Sequence, residues 1–366
     1  MKLRYKITGV FLALLVVAIS GLALVLSHTA PCQPAPAIPD GADTMKAVVS
    51  RCYGSPDVLT LEDLEKPTPS NEEVLVKVHA AAVNPYDWHG MRGSPYFMRL
   101  GTGIGSPKDI RFGADFAGIV EAVGDNVTEF KPGDAVFGAA AGAFAEYVVT
   151  RKHRIAHKPD NVSFEQAASL PIAAITALQA LRDKGQLQSG QKVLINGASG
   201  GVGTYAVQIA RSMGAEVTGV CSTRNVELVR SLGADHVFDY TKEDYTQSGQ
   251  QFDLIVDMVG NHSLSANRSV LTPKGRFVIV GGAKGDWLEP LMGPIKALLM
   301  SPFVDQEMGM MIATMDGDDL AELGALMERG ALSSAVDRHY PLSEVADAIR
   351  YSEQGHARGK IIIDLE

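Results

Sequence analysis

Residues 192–211 read KVLINGASGGVGTYAVQIAR, and this stretch decides the fold. Residues 193–195 form a short apolar run that suits a buried parallel strand. After the glycines, apolar residues recur at helical spacing, at Val202, Ala206, Val207, Ile209 and Ala210. A strand, a glycine-rich turn and a helix in this order point backbone N–H groups at one place, where the helix dipole also favours an anion. The stretch predicts a site for the pyrophosphate of a dinucleotide.

The glycines match the dinucleotide fingerprint in the form A-x-G-x-x-G. Ala198 takes the first glycine position, Gly200 the second and Gly203 the third. Gly200 lets the backbone approach the phosphates, and Gly203 lets the helix pack closely on the strand. Glycine runs also occur in ordinary turns, so the flanking strand and helix carry the prediction.

Further strands are predicted at regular intervals after this turn. They cover residues 216–221, 234–239, 252–258 and 275–280, with a helix over 226–232. Strands that alternate with helices at this spacing indicate an α/β fold with a doubly wound parallel sheet of the Rossmann type. In such a sheet the ligand lies at the carboxyl ends of the strands.

The end of the second predicted strand selects the cofactor. NAD sites usually place Asp or Glu there, about twenty residues past the glycines. This chain has Cys-Ser-Thr-Arg-Asn at residues 221–225, with no carboxylate to repel a 2′-phosphate. Ser222 and Arg224 can bind that phosphate by charge-assisted hydrogen bonds, so NADPH is predicted over NADH. The alternative that Arg224 is only a solvated residue at a helix start stays open.

The composition excludes other classes of protein. The chain has 366 residues and a net charge of −9, without a basic stripe that could follow a nucleic-acid backbone. Its three cysteines (Cys32, Cys52 and Cys221) are far apart in the sequence. They show no metal-ligand spacing and imply no disulfide framework.

The amino-terminal residues 1–44 are predicted to form a membrane anchor and a linker. Residues 7–26 carry no charge and have the length of about 20 residues that spans a bilayer core. A cleaved signal peptide is the alternative, but no good small-x-small cleavage site follows, which favours a single-pass anchor and a membrane localisation. The basic residues before the apolar run place the body outside the cytoplasm, whereas NADPH is a cytoplasmic metabolite, so the side stays open. Residues 33–41 read as a stiff proline-rich spacer.

The body is predicted to contain two domains. Residues 45–170 hold many short strands punctuated by glycine and proline, which is typical of a small, partly open β-barrel. Residues 171–310 form the dinucleotide-binding domain, and residues 311–366 return to complete the first domain. Residues 286–311 are rich in methionine and predict a helix packed on the core or on a second subunit. The alternative is a hydrophobic wall for a prenylated quinone.

Several motifs in order resemble the medium-chain dehydrogenase/reductase superfamily. They are VNPYD at 83–87, GADFAGIVEAVG at 113–124, KPGDAVFG at 131–138, NGASGGVG at 196–203 and GHARGKIII at 355–363. The resemblance covers residues 45–366 and is strongest to the zinc-independent quinone-oxidoreductase branch, near the reticulon-4-interacting-protein-like NADPH reductases. It implies a GroES-like barrel domain, a small-molecule carbonyl or quinone substrate, and a homodimer.

The zinc ligands of the superfamily's alcohol dehydrogenases are not present in the sequence. Those enzymes carry a Cys soon after the third strand and a Gly-His-Glu, whereas this chain reads AVNPYD at 82–87 and has Ala114 between Gly113 and Asp115. Without a thiolate or an imidazole there, no Lewis acid is expected to polarise an alcohol oxygen. We therefore expect no metal, and an NAD(P)-dependent alcohol dehydrogenase is the disfavoured alternative.

Hydride transfer without a metal requires an acceptor that is already activated, such as a quinone or another α,β-unsaturated carbonyl. The resemblance points to Asn84 and Tyr96 as the catalytic residues that stabilise the developing oxyanion or relay a proton. The alternatives are an Asx-type turn at Asn84 and a half-buried loop aromatic at Tyr96. Asp87 is expected at most to orient its neighbours.

The resemblance also implies the cofactor contacts. The predicted cofactor-binding residues are Thr176, Ser199, Gly200, Gly201, Val202, Gly203, Ser222, Arg224, Tyr240, Gly281, His356 and Arg358. Two other functions remain possible at this stage: a membrane-tethered NADPH sensor or adaptor without turnover, and an acyl-thioester enoyl reductase. The second would need a basic pocket for the carrier phosphate, and the sequence indicates none.

Overall fold

The computed structural model describes residues 2–282 and 285–365, apart from the side chains of residues 2–13. The strands are β1 (Thr44–Ser50), β2 (Leu59–Glu65), β3 (Glu73–Val83), β4 (Asp115–Val123), β5 (Ala135–Ala139), β6 (Tyr147–Arg151), β7 (Ile155–His157), β8 (Lys192–Asn196), β9 (Glu216–Cys221), β10 (His236–Asp239), β11 (Phe252–Asp257), β12 (Leu271–Ile279), β13 (Glu307–Met310), β14 (Val336–Pro341) and β15 (Lys360–Asp364). The helices are α1 (Lys2–Ser27), α2 (Pro85–Arg92), α3 (Arg99–Thr102), α4 (Phe164–Ala168), α5 (Pro171–Gln179), α6 (Gly201–Ser212), α7 (Val226–Ser231), α8 (Leu264–Ser269), α9 (Glu289–Met300), α10 (Gly317–Glu328) and α11 (Val345–Glu353).

Six parallel strands form one sheet in the order β10-β9-β8-β11-β12-β13. The apolar residues of β8 are completely buried, which accounts for its central place. From β8 the chain builds outward through β9 and β10, then crosses to β11 on the other side. The strand order therefore reverses between β8 and β11, and their carboxyl ends open the crevice in which such sheets bind ligands. The predicted doubly wound sheet is confirmed.

The methionine-rich stretch departs from the prediction. Residues 286–311 were expected to form a helix, but only Glu289–Met300 does so, and Glu307–Met310 adds the edge strand β13 to the sheet. Most apolar side chains here are not packed on the core, and Phe303 is 86% exposed. After Met300 the chain continues as one 3-10 turn, Ser301–Phe303, before it reaches β13.

A second sheet forms the partly open, GroES-like barrel. Its order is β14-β15-β3-β4-β5-β7, with β6 also paired to β3. The terminal strand β15 pairs antiparallel with β3, from Ile361 opposite Val83 to Asp364 opposite Ala80. Lys360, at the start of β15, therefore lies beside Asn84, which directly follows β3. This pairing assembles the candidate site from opposite ends of the chain.

One apolar core joins the barrel to the parallel sheet. It contains Ala82 and Ala117 from the barrel, Ile175 from α5, and Ile195 and Ala206 from the dinucleotide-binding half. α5 packs on α6 and begins with Pro171, whose missing N–H suits the first turn of a helix. The shared core fixes the crevice between the two halves.

The predicted transmembrane anchor is not confirmed. Residues 2–27 form the helix α1, and its apolar side chains from Leu14 to Val25 are exposed apart from position 23. Within the residues described, however, no helix is long and apolar enough to cross a membrane. The first part of the predicted span, residues 7–13, lies outside the described side chains.

The expectation about the cysteines is wrong in one respect. Cys32 and Cys52 form a disulfide, with their Cα atoms 4.6 Å apart. The sequence separation of 20 residues hid this pairing, because the proline-rich segment does not hold α1 away from the body. It returns along the barrel instead, and Thr29 forms a parallel bridge with Gly105. Cys221 is free and buried.

Candidate active site

The glycine turn begins where β8 ends. Gly197 adopts a positive φ of 92°, a conformation that favours glycine, and α6 begins at Gly201 with Gly200 as its N-cap. The first backbone N–H groups of α6 have no partner within the helix, and they lie at the positive end of the helix dipole. Among the described residues, the turn therefore offers a site that suits a diphosphate.

Close packing explains the other glycines of the fingerprint. A Cβ added at Gly203 would overlap the carbonyl oxygen of Gly197, so α6 can pack against the turn only with glycine there. Ala198, which the sequence places at the first glycine position, has a methyl group that the neighbouring strand accommodates. A Cβ added at Gly219 of β9 would lie 3.0 Å from that methyl carbon. The substitution of alanine for glycine in the fingerprint is thus matched by a glycine on β9.

The carboxyl-terminal return crosses the glycine turn. Gly359 N–H donates to Ser199 O at 3.0 Å, and Gly359 forms a parallel bridge with Gly200. One guanidinium N–H of Arg224 donates to His356 O at 2.8 Å. The predicted cofactor residues Ser199, Gly200, Arg224 and His356 are therefore brought together, and Arg358 follows on the same segment.

The end of β9 carries a polar cluster next to that turn. Asn225 Nδ2 donates to Ser199 Oγ at 3.0 Å and to Ser222 Oγ at 3.2 Å. Asn225 Oδ1 is buried and has no hydrogen-bond partner among the described residues. This orphaned acceptor and the two hydroxyls fit the sugar and phosphates of a dinucleotide. Sequence reasoning missed Asn225, although it belongs to the same CSTRN segment.

Three other predicted cofactor residues lie at separate places, two of them after strands of the parallel sheet and one on α5. Tyr240 follows β10, is 59% exposed and donates its backbone N–H to Cys221 O at 3.1 Å. Thr176 is buried on α5. Gly281 follows β12, where an added Cβ would overlap Met258 O. In the described part of the chain, the side chains of Tyr240 and Thr176 make no hydrogen bond to the glycine turn.

Asn84 is buried at the centre of a polar contact. Its Nδ2 donates to Asp115 Oδ2 at 2.9 Å and to Ala82 O at 3.3 Å. Its Oδ1 accepts from Lys360 Nζ at 2.6 Å. Both amide hydrogens are thus engaged within the protein, a geometry that suits a residue holding the site together. Donation from Asn84 to a substrate remains a prediction.

Lys360 connects this contact to the glycine turn. Its buried ammonium lies 3.5 Å from Asp115 Oδ2, and a Cβ added at Gly201 would lie 3.3 Å from Lys360 Cδ. Asp115 also accepts from Ile172 N–H at 3.1 Å, at the start of α5. Burial raises the pKa of Asp115 and lowers the pKa of Lys360, while the attraction between the two charges opposes both shifts. Sequence reasoning missed Lys360, whose only signal was its place in GHARGKIII.

Asp87 orients Asn84 through the backbone. Asp87 Oδ2 accepts the Asn84 N–H at 2.7 Å, which fixes the start of α2. The other carboxyl oxygen is buried without a partner among the residues described. Burial raises the pKa of Asp87 to about 8, assisted by the nearby Asp115 and opposed by the hydrogen bond from Asn84. At neutral pH this carboxyl group is therefore predominantly protonated.

Tyr96 lies in the loop between α2 and α3, against the other half of the molecule. Its N–H donates to Asp286 O at 2.7 Å, and its ring meets the edge of Trp287 with centroids 4.8 Å apart. The Tyr96 hydroxyl makes no hydrogen bond to any described residue. Tyr96 lines a cavity of about 270 Å³, together with Tyr53, Arg92 and Asp286. The structure leaves this hydroxyl available, but does not place Tyr96 in contact with Asn84.

Metal ligands do not cluster in the part of the chain that is described. No group of three or more His, Cys, Asp or Glu side chains there is arranged to hold a metal ion. The candidate residues instead comprise the buried Lys360 ammonium beside the glycine turn and, in a separate loop, the Tyr96 phenol.

Comparisons with known proteins agree with this architecture. Residues 70–160 match the family described as alcohol dehydrogenase GroES-like domain, and residues 232–363 match the family described as zinc-binding dehydrogenase. The chain is 35% identical over 328 residues to the mitochondrial NAD(P)H oxidoreductase RTN4IP1 of Mus musculus, covering 80% of this chain and 82% of that protein. It is 33% identical over 334 residues to the chloroplastic NADPH-dependent alkenal/one oxidoreductase of Arabidopsis thaliana, covering 87% and 79%.

A solved structure extends the match to the whole body. The quinone oxidoreductase from Coxiella burnetii has a TM-score of 0.78 and 30% sequence identity, over 88% of this chain and 100% of that chain. The fold of the body is thus that of a known enzyme class. The chain belongs to the medium-chain dehydrogenase/reductase superfamily and is an NAD(P)H-dependent oxidoreductase.

Proposed function

We propose that this oxidoreductase uses NADPH and, without zinc, reduces quinones or other α,β-unsaturated carbonyls. The observation that carries the proposal is the buried Lys360 ammonium, which donates to Asn84 Oδ1 and lies 3.5 Å from Asp115 Oδ2, in a contact that contains neither a thiolate nor an imidazole. The names of the relatives, which include a quinone oxidoreductase and an alkenal/one oxidoreductase, support the same class of acceptor.

The preference for NADPH rests on the end of β9. Ser222 and Arg224 offer a hydroxyl and an exposed guanidinium there, and no carboxylate lies within 221–225. A carboxylate would hold the ribose 2′-hydroxyl of NAD(H) and repel a 2′-phosphate. Arg224 and Ser222 would hold the 2′-phosphate, and the N–H groups of Gly201 and Val202 would hold the diphosphate.

The absence of zinc chemistry is proposed from the donor set. Although one matched family is described as zinc-binding, Ala114 replaces the imidazole and Asp115 is paired with Lys360. A cation next to an ammonium would meet like-charge repulsion, and the remaining side chains offer neither thiolate nor imidazole. A chelator should therefore leave turnover unchanged, and metal added afterwards should not raise it.

The chain's own contribution is to position the acceptor and to manage a proton. Bound NADPH supplies a hydride. The carbonyl oxygen of a conjugated acceptor gains negative charge during reduction, and the Tyr96 hydroxyl is the available donor beside the cavity. Its proton passes to the oxygen and is replaced from solvent, so that the acceptor gains one hydride and one proton. Asn84, held by Lys360 and Asp115, has a structural role in the site.

A matched pair of tyrosine variants tests the proposal. With purified protein, NADPH and a panel of quinones and enones, Tyr96→Phe should lower kcat by about 10²-fold, as for loss of a general acid. Tyr86→Phe, an exposed tyrosine in the same region, should retain wild-type kcat. Full activity of Tyr96→Phe would remove that residue from the mechanism. Absence of NADPH oxidation with every acceptor would remove the proposed function.

A homodimer is proposed as the working assembly. β13 is an edge strand with unpaired backbone groups on its outer side, which favours pairing with another strand. Exposed apolar side chains lie close by, including Leu298, Leu299, Phe303 and Ile312. An apolar surface next to an open sheet edge supports association with a second copy of the chain.

A further inference from the structure

The segment Leu26–Cys32, which we call the amino-terminal strap, is bound by a buried arginine. One guanidinium nitrogen of Arg99, Nη1, donates to Leu26 O at 3.0 Å and to His28 O at 2.8 Å. Arg99 is only 2% exposed, and Leu26 is buried with it. Because an unpaired buried guanidinium N–H is costly, the strap backbone completes the environment of Arg99.

The same guanidinium holds the loop that carries Tyr96. Arg99 Nε donates to Gly93 O at 2.7 Å, and Nη2 donates to Arg92 O at 3.1 Å. The Arg99 Cζ atom lies 4.4 Å from the centroid of the Tyr53 ring and 4.6 Å from that of Tyr96. Both distances fall within the range of a cation–π contact. Arg99 thus touches the strap and the Tyr96 ring at once.

A backbone hydrogen bond and a disulfide also hold the strap in place. Ala30 N–H donates to Gly105 O at 2.8 Å, at the far end of the Tyr96 loop. The Cys32–Cys52 disulfide then ties the strap to the residue before Tyr53. The Tyr53 hydroxyl donates to Gly103 O at 2.8 Å, so this residue also holds the loop. Thr29 of the strap lines the same cavity as Tyr96.

We propose that Arg99 is a positioning residue for Tyr96, that the amino-terminal strap holds Arg99 in place, and that the Cys32–Cys52 disulfide is a redox-sensitive link that stabilises this arrangement. The inference rests on the proposed function, because it assumes that Tyr96 serves the reaction. Without the disulfide, the hydrogen bonds from Arg99 and the one between Ala30 and Gly105 remain, but the covalent link is lost and the effective concentration of the strap at Arg99 falls. The Tyr96 loop then samples unproductive positions and turnover decreases.

The redox step is thiol–disulfide exchange with a dithiol. A thiolate of the reductant attacks one sulfur of the disulfide, forms a mixed disulfide with that cysteine and releases the other cysteine as a thiolate. The second thiol of the reductant then attacks the reductant's own sulfur in the mixed disulfide and releases the first cysteine. Cys32 and Cys52 each gain one electron and one proton, and the dithiol becomes a disulfide. The Cys52 side chain is buried but Cys32 is exposed, so attack at the Cys32 side is open to solvent.

Turnover measurements test the proposal with the full chain. Dithiothreitol should lower kcat of the wild type by roughly tenfold, within the hundredfold that a displacement of about 1 Å can cost, and leave the Kd for NADPH unchanged. Reoxidation should restore kcat. The double variant Cys32→Ser/Cys52→Ser should have the low kcat with or without dithiothreitol, whereas Cys221→Ser should still respond. A reduced wild type with full kcat would overturn the proposal.

Two further measurements distinguish loss of the Tyr96 position from a general loosening of the protein on reduction. In Tyr96→Phe, reduction should cause no further loss of kcat, because the residue being positioned has lost its hydroxyl. An equal loss in that background would overturn the link to Tyr96. Hydrogen exchange of residues 93–105 should accelerate on reduction. If no acceptor is turned over, the proposed function fails. The hydrogen-exchange experiment still shows whether the disulfide holds the loop. Unchanged protection of residues 93–105 on reduction would overturn the proposed role of the disulfide.

Arg99 itself is tested by Arg99→Lys, which keeps the charge but loses the planar fork. We expect reduced kcat, an unchanged KM for NADPH, and a smaller response to dithiothreitol than in the wild type. If Arg99→Lys fails to fold, the cysteine variants and the exchange measurement still decide the proposal. Wild-type kcat in a folded Arg99→Lys would show that Arg99 does not position Tyr96.

Discussion

Lys360, Asp115 and Asn84 join three distant parts of the chain by side-chain contacts within the protein interior. Removing one partner of a buried charged pair costs about 3–5 kcal/mol, since the other charge is left without compensation. The contact thus depends on the carboxyl-terminal return being docked. Closure of the barrel by β15 therefore also fixes the position of Asn84 relative to the glycine turn.

The first residue-scale prediction concerns cofactor choice. Arg224→Ala removes the guanidinium proposed to bind the 2′-phosphate. The KM for NADPH should rise roughly tenfold, equivalent to about 1.4 kcal/mol, while the KM for NADH should change little. Arg230→Ala, which removes a guanidinium paired with Glu227 on α7, serves as the control. Equal effects of Arg224→Ala on both cofactors would contradict the assignment.

The second residue-scale prediction concerns pH and stability. Burial raises the pKa of Asp87 from 3.8 to about 8, so the folded protein holds a proton that the unfolded chain releases near pH 4. The unfolded state binds fewer protons in this window, and the free energy of unfolding therefore falls as pH rises from about 4 to about 8. Asp115 and Lys360 are the neighbouring charges, and both remain in the variant.

Asp87→Asn cannot ionise and should lose this dependence. Its Tm relative to the wild type should rise steadily between pH 5 and pH 8. Asp160→Asn, at an exposed position, should differ from the wild type by the same amount at every pH. A pH-independent difference for Asp87→Asn would show that Asp87 is ionised in the folded protein.

Residue-level sequence reasoning identified candidate site residues but not the contacts between them. Asn84 and Tyr96 were identified by motif; the structure buries Asn84 beside Lys360 and places Tyr96 in a separate loop, against Trp287. The sequence could not show that the Asn84 amide is engaged by Lys360, because the two residues meet only when β15 pairs with β3. Asn225 was missed for a related reason: it reads as a turn residue until its amide is seen between Ser199 and Ser222.

At the scale of elements, local pattern predicted most of the parallel sheet. β9 has the predicted bounds, and β8 and β11 differ only at their ends, because their continuous apolar runs are buried on both faces. β13 was missed because a four-residue edge strand lacks a clear periodic signal. The positive φ at Gly197, one position before the assigned first glycine, was also beyond the fingerprint alone.

The element-scale prediction tests the packing of α6 on the glycine turn. Gly203→Ala adds a methyl group that overlaps Gly197 O, so α6 must move. Overpacking of this kind typically costs about 1–3 kcal/mol, and the displaced N–H groups should also bind NADPH more weakly. Gly90→Ala on α2, which meets no atom within 4 Å, should fold and bind normally. Calorimetric titration measures the affinity for NADPH, and Tm measures the stability. Wild-type affinity for NADPH in Gly203→Ala would contradict the close packing.

At the scale of the whole molecule, the amino-terminal segment is where sequence reasoning was least successful. Local composition read residues 33–41 as a spacer, whereas Arg99, Gly105 and Cys52 bind the preceding strap onto the barrel. Each of these partners is distant from the strap in sequence, so no local sequence pattern predicts the contact. The general division into a barrel and a dinucleotide fold was predictable because several motifs occur in order.

The whole-molecule prediction is self-association through the β13 edge. In a mild non-ionic detergent that masks α1, the wild type should sediment as a dimer. Phe303→Asp, at a side chain that is 86% exposed, should give a monomer because a charge opposes burial of that surface. Leu61→Asp, at an exposed position on β2, should remain dimeric. A monomeric wild type would overturn the proposed assembly.

Isotope transfer is the most direct test of the central claim, that NADPH delivers a hydride to a conjugated acceptor in this site. NADPH deuterated at the transferring carbon of its nicotinamide is mixed with the purified protein and an enone under single-turnover conditions. Hydride transfer in this site should give loss of the reduced-nicotinamide absorbance, a slower rate than with unlabelled NADPH, and one deuterium at the β-carbon of the product. NADPH that binds but is not oxidised, or product without deuterium, would contradict it.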